Sequence, residues 1–201
     1  MRTVPDGVAS GDLILYSGRH RLHIWQQNMT GCVWSQVGLL LSGPPPLVFE
    51  STKLSVCTDA RTGTVLRGVQ LVRLSDRLNT FSGDVAVRSL CPPLPGELEV
   101  ALLAFVEEVH GQPFNDSKWV AVRAFRRRNR PGNGSSFFCS ELVAEAYQRL
   151  GLLLKPPSGM SSNNYIPADF CSTYEKTLLR MHADFRLGEE RIIMTSPEPV
   201  L

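Results

Sequence analysis

The sequence predicts an α+β fold, on two observations. Short apolar runs bounded by Gly and Pro turns fill the first half of the chain, and apolar residues at helical spacing fill the second, with Cys91-Pro92-Pro93-Leu94-Pro95-Gly96 between the two regimes. A chain of 201 residues with 43% hydrophobic content can bury a sizeable core, and it fits one domain, with a core from about residue 11 to 195, better than two small ones.

The elements follow in order. Asp12 to Tyr16 reads as a short strand after the Ser10-Gly11 turn, and Val33 to Leu41 as a longer one, with His20 and His23 in the loop between them. Gly43-Pro44-Pro45-Pro46 forces a turn, so Leu47 to Glu50 is the return strand of a hairpin, and Gly68 to Leu74 is a further strand. Beyond the Pro-rich segment, Leu98, Ala101, Leu102, Phe105, Val106 and Val109 form a helical stripe over Glu97 to His110, and a second helix is expected over about Ser117 to Arg126. Phe138, Leu142, Val143, Ala146, Tyr147 and Leu150 then mark a third, with Ser135 or Ser136 as its cap and Gly151 at the left-handed C-terminal position. After the loop Lys155 to Gly159, Asn163 to Phe170 reads as an ordered turn feeding a short helix, and Arg191 to Thr195 as an edge strand.

Composition excludes several function classes. The formal net charge is only +2, and the cluster Arg123, Arg126, Arg127, Arg128 and Arg130 has no interleaved aromatic stripe, which argues against nucleic acid as a partner. The five cysteines have no CxxC pair and no His partner at zinc-finger spacing, so neither a disulfide scaffold nor a structural zinc site is expected, and no metal or other cofactor is implied. Neither a signal-peptide apolar run nor a spanning stretch is evident, giving a cytoplasmic, reducing compartment as the expectation.

Chemistry concentrates at Cys139, which stands where the third helix begins, after a Gly-rich basic loop. First-turn N–H groups lack intrahelical partners and carry the positive end of the macrodipole, so a thiolate there is expected to be stabilised and its pKa lowered. The competing reading is a free cysteine among aromatics acting as a small buried hydrophobe. Glu141 and Glu145, at i and i+4 near the same terminus, are accounted for by the macrodipole alone.

Taken together, Gly11-Asp12-Leu13-Ile14-Leu15, Trp34-Ser35-Gln36-Val37-Gly38-Leu39, Phe49-Glu50 and Phe138-Cys139-Ser140-Glu141-Leu142-Val143 resemble the permuted papain-like hydrolases of the NlpC superfamily, of the YiiX and YaeF type. The resemblance runs in order from about Gly11 to Phe170 and includes the downstream Asn-Tyr-Pro-Ala-Asp segment. It implies a circularly permuted papain-like fold, an antiparallel sheet or partial barrel against a helical half, and a thiol hydrolase or acyltransferase acting on amide or ester bonds. Peptides, acylated amines and lipid esters are the substrate classes it implies. By position Cys139 is the nucleophile, Glu50 orients the base, and Gln36 occupies the place where the family carries histidine.

A glutamine amide donates and accepts hydrogen bonds but takes no proton near neutral pH. Gln36 therefore predicts either a weak or specialised hydrolase or an inactive relative that binds a peptide, acyl lipid or protein in the same cleft. His20, His23, His110 and His182 are each expected in surface or structural roles ahead of catalysis, with His23 the least improbable substitute base and equally readable as a satisfied buried histidine. Tyr16, Ser140, Asn164, Tyr165 and His23 are the residues expected to frame the substrate groove.

Overall fold

The structure is a computed structural model that describes residues 4–129, 134–154 and 160–195. The end of the basic loop, Arg130 to Asn133, and the loop Lys155 to Gly159 lie outside the described residues. A six-stranded sheet is built from β1 (Leu13–Gly18), β2 (Gln36–Leu41), β3 (Leu47–Thr52), β4 (Gly68–Arg73), β5 (Gly83–Arg88) and β8 (Arg191–Met194), in the order β4-β3-β2-β1-β5-β8. Every neighbouring pair is antiparallel. A two-stranded ribbon, β6 (Leu90–Cys91) with β7 (Arg186–Leu187), extends from it. The helices are α1 (Arg21–Thr30), α2 (Leu74–Thr80), α3 (Gly96–Val109), α4 (Lys118–Phe125) and α5 (Cys139–Arg149). Among the described residues no helix is long and apolar enough to cross a membrane.

The sheet is buried on both faces, which is why its strands read as apolar runs rather than clean alternations. Leu13, Leu15, Val37, Leu39, Phe49 and Leu71 point to one side, into a core shared with Leu102 and Phe105 of α3 and with Leu142 and Ala146 of α5. Ile14, Tyr16, Leu40, Val48 and Val72 point to the other, where Leu74 and Leu78 of α2 close over them.

The expected elements are present with small shifts of their ends; the ribbon strands β6 and β7 were not foreseen, nor were α1, α2 and β5. The connection holding His20 and His23 is helix α1 rather than a loop; its residues are mostly polar and His23 alone is buried, so no apolar stripe announces it. It is fixed instead by its ends: His20 Nδ1 accepts the Leu22 N–H at 3.3 Å, and Gly31 at φ 70° closes the C-terminus. Helix α2 is seven residues long, too short for periodicity to register. Strand β5 lies inside the sheet, paired to β1 over six residues, a position that only long-range pairing decides.

The N-terminus of α5 also departs from expectation. Its cap residue is Phe138, not Ser135 or Ser136, and the carboxylate of Glu141 accepts the Phe138 N–H at 3.2 Å. Gly151 does take the left-handed conformation, at φ 70°.

Candidate functional site

Glu50 is the centre of a buried polar network. It lies on β3 opposite Gln70 of β4, completely buried. Gln36 Nε2 donates to Glu50 Oε2 and Gln70 Nε2 to Oε1, each at 2.9 Å. Arg77 of α2 brings its Nε to 3.0 Å from Oε1 and 3.3 Å from Oε2. The guanidinium, itself only 4% exposed, stacks 4.8 Å above the Tyr16 ring and 5.3 Å from that of Phe81. A buried carboxylate therefore meets a cation and two amides, the condition under which such a charge is tolerated in a core.

Cys139 and Gln36 line one narrow cleft with His23, Ser35, Lys53 and Phe114. Cys139 and Gln36 border the same cleft, and Gln36 is bonded to Glu50, so the three residues lie in one region of the fold. On its other side Cys139 borders an apolar groove walled by Phe125 and Phe138 and by Tyr165, Ile166 and Pro167. A larger cleft of about 430 Å³ opens beside Gln36 and His23, with Arg19, His20, Thr80 and Ser82 as its polar walls and Leu54, Val56 and Phe81 as its apolar ones.

The thiol is not the acidic one that a helix terminus alone would produce. Burial pushes the Cys139 pKa up to about 11, against the lowering effect of the backbone N–H groups of Val37, Ser140 and Cys139 itself, and the Glu50 carboxylate adds to the rise. At neutral pH the sulfur is a thiol.

His23 comes into the site from α1. Its Nδ1 lies 2.8 Å from Ser35 Oγ, and Ser35 Oγ reaches the Tyr16 carbonyl at 3.3 Å. With the single hydroxyl proton given to that carbonyl, Nδ1–H donates to Ser35 and the lone pair falls on Nε2. Burial and the nearby His20 and Arg77 pull the His23 pKa down to about 4, so the imidazole is neutral through the physiological range. Gly18 makes the room: a Cβ there would come within 2.5 Å of the imidazole ring.

The remaining expected groove residues divide. Tyr165 and Ser140 both border the apolar groove, the Ser140 Oγ donating to the Tyr165 carbonyl at 2.7 Å. Asn164 is fully buried; its Oδ1 accepts the Asn129 N–H at 2.8 Å and its Nδ2 donates to the Asn129 carbonyl at 3.1 Å. Arg127 locks the same segment with two 2.7 Å bonds to Asp169 and one to the Asn164 carbonyl, giving this member of the basic cluster a structural role. Tyr16 lies beneath Arg77 and lines neither cleft. His110 is tied to Asp59 at 2.9 Å, and His182 pairs with Asp184 at the surface.

Sequence reasoning missed Arg77, Gln70, Ser35 and Gly18. Gln70 left one signal, a lone amide inside the apolar strand Val69-Gln70-Leu71-Val72; Arg77 left none, because α2 was not recognised.

Glu141, two residues after the thiol, is only 5% exposed, and burial pushes its pKa up to about 7, with Glu145 adding to the rise and the Phe138 N–H opposing it. A carboxyl raised in the fold costs nothing below its unfolded value of about 4.5 and destabilises progressively as pH climbs through about 7, by up to about 3 kcal/mol. Glu141→Gln keeps an acceptor for the Phe138 N–H, so its urea midpoint should match the parent near pH 4 and exceed it at pH 8. Equal midpoints at both pH values would contradict this assignment.

Comparisons with known proteins place the fold. No family model matches the chain. No curated protein matches it either. Among solved structures, the metalloprotein YiiX from Escherichia coli O157:H7, assigned to DUF1105, is similar at a TM-score of 0.51, with 21% identity over 74% of this chain and 72% of that one. The architecture is therefore YiiX-like.

Proposed function

We propose that the protein is a thiol-dependent acyl hydrolase of the permuted papain-like kind, acting on an ester, thioester or amide. One observation carries this reading: Cys139 begins a helix in a cleft it shares with Gln36, whose amide is bonded to a buried, fully partnered Glu50. The sulfur attacks the acyl carbon, the carbonyl π electrons move onto oxygen, and first-turn N–H groups of α5 receive that charge. As the alcohol, thiol or amine leaves, Cys139 retains the acyl group as a thioester, which water then hydrolyses.

Gln36 cannot take the thiol proton. The neutral imidazole of His23 can, and because its pKa is about 4 it returns the proton readily to the departing group. With a thiol near 11, that transfer is uphill, so activated acyl groups such as esters and thioesters should react far better than peptides. The large cleft beside His23, apolar at Leu54 and Val56 and polar at Arg19 and Thr80, suits an acyl chain ending in a polar or anionic group. The description of YiiX as a metalloprotein finds no matching donor set here: among the described residues no three His, Cys, Asp or Glu side chains converge, and no metal enters the reaction as proposed.

A second reading, a binding protein that keeps the cleft without the chemistry, is favoured by the raised thiol pKa and by Gln36 standing where a base would be. Intact-mass spectrometry during incubation with p-nitrophenyl acetate separates the two. The hydrolase gains one acetyl group that maps to Cys139 and is absent in Cys139→Ala. Acetylation confined to other residues, or none at all, would leave only the binding reading.

A further inference from the structure

We infer that the outer faces of α1 and α4 form a docking surface for an anionic phospholipid bilayer. Large apolar side chains stand exposed on both helices: Ile24 at 44%, Trp25 at 39% and Met29 at 56% on α1, and Trp119 at 75% on α4. The helices meet where the Trp25 ring packs edge-on against Phe125 at 5.3 Å, so their exposed faces are neighbours.

Helical spacing explains the exposure. On α1, Arg21, Ile24, Trp25, Asn28 and Met29 share one face, opposite the buried His23. On α4, Trp119 and Arg123 are one turn apart, and Arg126, just past the helix end, continues the same row. Ala121, Ala124 and Phe125 turn instead to the groove beside Cys139.

Charge decides what covers these faces. No Asp or Glu occurs between Asp12 and Glu50, nor between Asp116 and Glu141, so both helices and the loops flanking them carry only basic and neutral residues. Arg127 is tied to Asp169, but Arg21, Arg123, Arg126 and Arg128 are exposed, and among the described residues none of these four has an ion-pair partner. A chain whose net charge is only +2 thus gathers its positive excess beside its exposed tryptophans. The core of a protein–protein interface is poor in charge, and Ile24 and Met29 offer nucleobases no ring to stack on. A membrane boundary fits both features: tryptophan rings sit at headgroup level, aliphatic side chains reach the acyl region, and cations meet phosphate and carboxylate.

The surface borders the groove that Gln26 of α1 and Phe125 of α4 share with Cys139, so docking brings that groove to the bilayer. It does not rest on the chemistry proposed for the thiol. The test is flotation of the full chain with vesicles of phosphatidylcholine alone and of phosphatidylcholine with phosphatidylserine, read together with tryptophan quenching by brominated acyl chains. The chain should float with the anionic vesicles far more than with the neutral ones, and leave them at high salt. Because Trp34 is only 6% exposed, quenching reports Trp25 and Trp119. Trp119→Ser should lose much of the quenching. Arg123→Glu combined with Arg126→Glu should weaken binding by more than about tenfold, each basic residue being worth roughly fivefold near an anionic surface. No binding to either vesicle, binding without quenching, or binding that both variants leave unchanged would overturn the inference. So would a lipid-free dimer in light scattering that Trp25→Ser or Trp119→Ser turns into monomer, which would assign the surface to a second copy of the chain. Cys139→Ala should float as the parent does, so failure of the acyl chemistry and failure of docking are told apart. Quenching in the unsubstituted chain decides the matter even if a variant fails to fold.

Discussion

Gln36→His should raise the rate of ester hydrolysis by about 10²–10⁴, the range a positioned acid–base group supplies. The site already contains most of what an imidazole at position 36 would need. Gln36 Nε2 donates to Glu50 at 2.9 Å, and a histidine Nδ1–H can take over that bond, which fixes the tautomer with its lone pair on Nε2. An imidazolium beside the sulfur would favour the thiolate and bring the Cys139 pKa down from about 11. Two measurements check this. The pH dependence of iodoacetamide labelling at Cys139 should move toward neutrality, and release of nitrophenolate should rise in parallel. Gln36→Ala serves as the control, since it opens the cleft without adding a base. A labelling profile unchanged by Gln36→His would remove position 36 from the reacting centre.

The largest effect on stability should come from Arg77→Met, about 3–5 kcal/mol, the cost of leaving a buried charge without its partner. Glu50 is completely buried and would retain only the two glutamine amides. The loss is a large share of the roughly 5–15 kcal/mol that holds an ordinary domain folded. Methionine fills most of the volume above Tyr16 and Phe81, so the loss reports charge rather than a cavity. Urea unfolding of Arg77→Met, of Glu50→Gln and of the double variant closes the cycle. The double variant should recover most of the single loss, because the orphaned carboxylate is gone. A loss below about 1 kcal/mol for Arg77→Met would mean that the pair is not the buried unit described here.

Much of the site was legible because its residues sit at recognisable starts and ends of strong elements. Cys139 opens a helix with a clear apolar stripe, and Glu50 interrupts an apolar hairpin strand. The direction of the thiol's pKa was not legible, since helix-terminus N–H groups and burial act in opposite senses and only packing says which is larger. Nor was the role of Asn164: a polar residue near the cleft looks the same in sequence whether it faces a groove or bonds to backbone, as this one does.

The sequence by itself determined the α+β division, five of the six sheet strands, helices α3, α4 and α5, and the positions of Cys139, Gln36 and Glu50, because short-range periodicity and turn residues encode local structure. Tertiary structure alone decided α1, α2 and the internal place of β5, where the local pattern is weak and long-range pairing dominates. It alone delivered Arg77 to Glu50 and His23 to the cleft. Those meetings join groups far apart along the chain, and their energies depend on burial and distance, which the folded core sets and no local pattern records.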